Sequence, residues 1–86
     1  MGLLRDPADG VAILPPFFVR VLIPGRSTPK YDAFPDPYSA MENALEMAGK
    51  FGCKILLTGH KNNTEFICFQ IDEDGQSTYF VDEDWL

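Results

Sequence analysis

The chain has 86 residues, 45% of them apolar with seven Phe, three Tyr and one Trp, and carries thirteen acidic against seven basic side chains for a formal charge of -6. That length fits one ordinary domain with little stability to spare, and the apolar content excludes a disordered tail. The charge argues against a nucleic-acid reader, which depends on a basic footprint, because Arg5, Arg20, Arg26, Lys30, Lys50, Lys54 and Lys61 are dispersed singly.

Residues 1–10 hold Arg5, Asp6, Pro7, Asp9 and Gly10 among few large apolar groups. They are expected to form a flexible N-terminal arm, leaving residues 11–86 as a single α+β domain. Residues 11–14 suit a short strand that Pro15-Pro16 stops, since neither proline supplies a ladder donor and each restricts its predecessor. In residues 17–23, Phe17, Val19, Val21 and Ile23 share one strand face, and Phe18, Arg20 and Leu22 share the other. Pro24-Gly25 then marks a turn.

Residues 26–37 contain three prolines, with Tyr31 and Phe34 as apolar anchors. They are expected to form a long open connection. Connections beyond about a dozen residues are uncommon unless ordered by their own side chains or used for binding, which makes this one a candidate binding surface.

The helix has two competing starts. Ser39 and Glu42 have capping-box spacing, while Asp36-Pro37 offers an aspartate cap followed by proline at the first helical position. Met41, Ala44, Leu45, Ala48 and Phe51 form the predicted apolar stripe, with Asn43, Glu46 and Lys50 facing away. Gly52 suits the left-handed residue that closes a helix.

Three strands are predicted to follow. Residues 54–58 place Ile55 and Leu57 on one face and Leu56 on the other. Gly59 allows a bend or close approach, and residues 61–64 form a polar turn. The Asn62-Asn63-Thr64 tripeptide matches a glycosylation acceptor but is read as part of that turn. In residues 65–71, Ile67, Phe69 and Ile71 are expected on one face, with Phe66 and Cys68 on the opposite one. Asp72-Glu73-Asp74-Gly75 forms a hairpin turn, and residues 77–81 return with Tyr79 and Val81 opposed to Thr78 and Phe80.

The expected fold is a small two-layer α+β domain in β-α-β-β-β order, one helix packed on a mainly antiparallel sheet. One helix covers one sheet face. The other is expected to display Phe18, Leu22, Leu56, Phe66 and Phe80, shielded by the N-terminal arm and Trp85, by a second copy, or by another protein.

The chemistry narrows less. His60 is the single imidazole, so a zinc site with several histidines is excluded. Cys53 and Cys68 do not have CxxC spacing and are expected to be buried thiols. A calcium-loop alignment on Asp72 and Asp74 fails at both ends, with Gln70 first and Val81 last. No phosphate-cradling glycine motif occurs. No catalytic site, metal or cofactor is expected, and an enzyme using Cys53 or Cys68 is the weakest of three alternatives.

Residues 72–86 contain six carboxylates and no Lys or Arg, interleaved with Tyr79, Phe80, Val81, Trp85 and Leu86. Charge selects a partner of opposite sign, and aromatic groups supply contact energy. The leading expectation is therefore a small acidic regulatory or inhibitory protein-binding module that masks a basic surface. Its candidate contact residues are Asp72, Glu73, Asp74, Tyr79, Asp82, Glu83, Asp84 and Trp85, with Tyr31 and Phe34 from the long connection. The alternative is a structural or homo-oligomeric module joined through the uncovered sheet face. With no basic segment leading into an apolar run and no apolar stretch of about 18 residues, a membrane partner is not expected and a cytoplasmic location is.

Overall fold

Alternating apolar residues in the strands and a stripe of small residues on the helix set the architecture of the computed structural model, which describes residues 4–81. Strands β1 (Leu14–Leu22) and β2 (Lys30–Phe34) precede helix α1 (Pro37–Phe51), and β3 (Lys54–Lys61), β4 (Thr64–Ile71) and β5 (Ser77–Tyr79) follow. They form one sheet in the order β2-β1-β3-β4-β5, with every neighbouring pair antiparallel. The two-layer α+β fold is as expected, with one strand more.

The added strand is β2, inside the connection expected to be open. Ile23 O accepts from Arg26 N at 3.2 Å across Pro24-Gly25, with Gly25 at φ 85°. Proline before a glycine of positive φ is the chemistry of a tight turn, and here it sends the chain back alongside β1. Pro29 and Pro35 flank β2 without entering it, so the ladder from Phe17↔Phe34 to Val21↔Lys30 loses no donor to proline.

At the helix the aspartate start prevails. Asp36 Oδ1 accepts from Ser39 N at 2.8 Å and Oδ2 from Ser39 Oγ at 2.9 Å, with Pro37 in the first turn. Gly52 closes the helix at φ 61°, its N–H donating to Ala48 O at 3.0 Å. The buried stripe is Ala40, Met41, Ala44 and Met47. Leu45, expected in it, is 54% exposed, and Phe51 is exposed as well. Ala40 and Ala44 let the helix lie close to the sheet, which centres the contact on them and turns Leu45 aside.

On the helix side of the sheet lie Phe17, Val19 and Val21 of β1, Ile55 and Leu57 of β3, and Phe69 and Ile71 of β4, all buried. The expected flexible arm is, over residues 4–10, a docked loop on this same side. Leu4 and Ile13 are buried in the core, with Ile13 N donating to Leu4 O at 2.7 Å. Lys61 Nζ lies 2.6 Å from both Asp6 Oδ2 and Asp9 Oδ2. Gly59, on the same face as Leu57, makes room: a Cβ there would stand 2.5 Å from Ile13 Cγ2 and 2.8 Å from Phe17 Cε1.

A β-bulge corrects the expected faces of β4. Leu57 pairs with Phe69, but Thr58 pairs with Ile67, so Cys68 is an extra residue. One inserted residue reverses every side chain beyond it. Phe66, expected on the open side, pairs with Gly59 and packs against the core, with Lys61 Nζ 5.5 Å from its ring centroid. Ile67, expected in the core, faces outward.

Candidate functional site

The register assembles the uncovered face row by row. One row runs Tyr31, Arg20, Leu56, Gln70 and Thr78, and the next runs Ala33, Phe18, Thr58 and Ile67. Leu14, His60 and Glu65 form a third, and Leu22 with Lys54 closes the opposite end. Phe80 continues the alternation of β5. On this face Tyr31 is 59% exposed, Leu14 51%, Phe80 42% and Ile67 41%. The helix and the N-terminal loop, the two segments that cover the sheet among the described residues, both lie on the other side.

Three aromatic rings adjoin on this face. Phe18 lies 5.6 Å from Tyr31 and 5.7 Å from His60 between ring centroids, the latter edge-on at 69°. His60 Nδ1 is 2.9 Å from Pro16 O. A carbonyl only accepts, so Nδ1 carries a proton and donates. Beside them Arg20 Nη2 lies 2.8 Å from both Glu65 carboxylate oxygens. In the register this diagonal from β1 to β4 crosses β3 at Thr58, which is buried and whose Oγ1 has no hydrogen-bond partner. The two opposite charges at the centre of the face cancel.

Between Leu14 and Phe18, β1 advances four residues while β3 advances two, and the slack is taken up at the cis Pro15-Pro16 pair. Two shallow hollows flank this ridge. One, of about 450 Å³, is walled by Ala33, Phe34 and Pro35. The other, of about 420 Å³, is walled by Leu14, His60, Asn62 and Asn63. Both are open depressions that suit protruding side chains better than an enclosed small molecule.

The sequence-predicted contact residues do not converge. Asp72, Glu73 and Asp74 form the β4–β5 turn, where Asp72 O accepts from Gly75 N at 2.9 Å and Gly75 sits at φ 86°. Asp72 Oδ1 accepts from Gln70 Nε2 at 2.7 Å and Asp74 Oδ1 from Gln76 N at 3.1 Å, so both carboxylates help hold the turn. Tyr79 faces the covered side, 4.7 Å from Phe69. Phe34 packs against the core. Of these Tyr31 alone lies on the uncovered sheet face, at the β2 edge and roughly 15–20 Å across the sheet from the exposed acidic turn. Asp82, Glu83, Asp84 and Trp85 lie outside the described residues.

Ile67, Leu14 and Glu65 belong to the face and were not predicted for it, whereas Arg20 was placed on it from the sequence without its partner. Pro15-Pro16 and Gly59 signalled irregularity nearby. Nothing in the residue pattern of β4 marks the bulge that turns Ile67 outward.

Nucleophilic chemistry gains no support from the cysteines. Cys53 and Cys68 are both buried and free, and burial pushes the Cys68 thiol up to about 12, against a smaller lowering by the Gly59 backbone. A thiol held protonated and enclosed is inert. Among the described residues no group of three or more His, Cys, Asp or Glu side chains is arranged to hold a metal ion. No described helix is long and apolar enough to cross a membrane. No protein-family model matches this sequence, no curated protein does, and no solved structure does.

Proposed function

We propose that this chain is a small protein-binding module that works through the uncovered face of its sheet. One observation carries the reading: the helix and the N-terminal loop both cover the same side, while Tyr31, Leu14, Ile67 and Phe80 are exposed at separate places across the other. The Phe18, Tyr31 and His60 rings toward the β2 edge, and a central charge pair that needs no outside partner, suit contact with protein. The acidic turn at 72–74, at one end of the sheet, supplies orientation during encounter more than contact area.

Site-specific photo-crosslinking in cells tests the reading whatever the partner's identity. A photoreactive residue at position 67 is expected to trap protein, and the same residue at position 45, on the outer side of the helix, is not. Equal trapping at both positions, or none at 67, would count against the face.

A further inference from the structure

Resting on that reading of the face, we infer that it receives an arginine side chain of a basic partner, seated against Glu65 in the place that Arg20 fills at rest. Several features meet there. The Glu65 carboxylate already holds a guanidinium, with Arg20 Nη2 lying 2.8 Å from both of its oxygens. Thr58, where that diagonal crosses β3, is 1% exposed, and its Oγ1 has no hydrogen-bond partner. The rings of Tyr31, Phe18 and His60 follow one another at 5.6 and 5.7 Å between centroids, and His60 stands directly across the strands from Glu65. The hollow of about 420 Å³ walled by Leu14, His60, Asn62 and Asn63 opens beside them.

Chemistry selects the ligand. A guanidinium is planar, donates through several N–H groups and stacks on aromatic faces, so a carboxylate, an orphan hydroxyl and a row of rings are surroundings that fit it. A lysine ammonium has the charge without the plane. A carboxylate ligand would have to displace Glu65 and bring negative charge to a chain already at -6, against ring faces that are themselves negative. A neutral group gains nothing from that field. The same charge, with Glu73 and Asp74 exposed at the sheet end, draws a basic partner in.

Arg20 is exchangeable. Its pair with Glu65 is complete at rest, but the two side chains are 38% and 37% exposed, and pairs so open to water contribute little. Exchanging one guanidinium for another leaves the charge on Glu65 matched and lets Arg20 turn to solvent. It also uncovers Thr58, whose hydroxyl then accepts from the incoming group. Arg20 is a placeholder, and its removal favours the partner.

Titration with Nα-acetylarginine amide, followed through the backbone amide shifts of isotope-labelled protein by NMR, tests the inference. Saturable shifts are expected at Phe18, Thr58 and Glu65, with weaker effects from the lysine analogue and none from the neutral citrulline analogue. Glu65→Gln is expected to weaken binding at least ~10-fold, as loss of a charge-assisted acceptor. Arg20→Gln is expected to strengthen it roughly 2- to 5-fold. Glu46→Gln and Lys50→Gln make the same two charge changes on the exposed side of the helix and are expected to stay within about 1.5-fold. Thr58→Val, which keeps the side-chain shape, serves if Glu65→Gln does not fold, with circular dichroism as the check; it is expected to weaken binding about 3-fold. Shifts centred on residues 72–74, no saturable shift, or weaker binding by Arg20→Gln would overturn the inference. Effects of the helix variants equal to those at positions 20 and 65 would overturn it too. In each case trapping of protein at position 67 keeps the reading of the face, and no trapping there removes both.

Discussion

Replacing Gly59 with alanine adds one methyl group where the N-terminal loop meets the sheet. That Cβ would stand 2.5 Å from Ile13 Cγ2 and 2.8 and 2.9 Å from Cε1 and Cδ1 of Phe17, well inside the ~3.5–4.0 Å optimum for carbon pairs. Gly59 is not among the glycines of positive φ, so on an open strand the change would stabilise by about 0.4–1 kcal/mol through the unfolded chain. Forcing a methyl into a filled core costs about 1–3 kcal/mol. The core term wins, and a net loss of roughly 1–2 kcal/mol follows. At about 4–8 °C per kcal/mol for a domain of this size, Tm drops by roughly 4–16 °C, measured by circular dichroism. Adding Ile13→Ala removes the nearest clashing atom, so the double variant should lose less than the sum of the single ones. An unchanged or raised Tm for Gly59→Ala would show that the loop does not pack there. The claim that both covering segments sit on one side would fall with it.

Other expected outcomes are equally direct. Hydrogen bonds from Lys61 first, and then from the Ala8 and Val11 N–H groups, hold the Asp6 and Asp9 carboxyls below their usual range. Their contribution is full above the unfolded value of 3.8 and is lost as pH falls through the depressed folded values. Lys61→Met should therefore lower stability at neutral pH and shrink the loss on acidification, read from urea midpoints against pH; an unaltered acid limb would contradict the ion pairs. Lys61 itself is raised by Asp6 and Asp9, so its share is complete below 10.5 and lost as pH rises through the folded value. A thiol-specific reagent at neutral pH should label Cys53 and Cys68 no faster than the protein unfolds, and fast labelling of the native state would contradict their burial. Thr58→Val removes a buried hydroxyl without a partner and should raise stability by about 1 kcal/mol; a loss of that size in urea unfolding would mean the hydroxyl is engaged.

Much of this fold is legible where local chemistry decides structure. Pro24-Gly25, Asp36-Pro37, Gly52 and Gly75 each constrain a few dihedral angles, and each sits in the turn or cap that its chemistry suits. The alternation in β1 and β3 likewise specifies which side chains meet the helix. What stays hidden depends on partners distant in sequence. The five residues of β2 lie between prolines and look like loop until β1 is available to pair with them. Leu45 fits the helical period as well as Met47 does, and only the close approach at Ala40 and Ala44 decides between them. The bulge at Cys68 is a property of the β3–β4 pair, and it exchanges Phe66 for Ile67 on the open face. That exchange moves the candidate site. Acidic residues near the C-terminus drew attention by composition, while the exposed surface was assembled by register from five strands.

The central claim is that the sheet face bearing Ile67 is the working surface, and photo-crosslinking in cells measures it most directly. Photoreactive residues placed singly at positions 67, 31 and 80 should each trap protein, while the same group at position 45 should trap little. Trapping at 45 in place of the three sheet positions would contradict the claim.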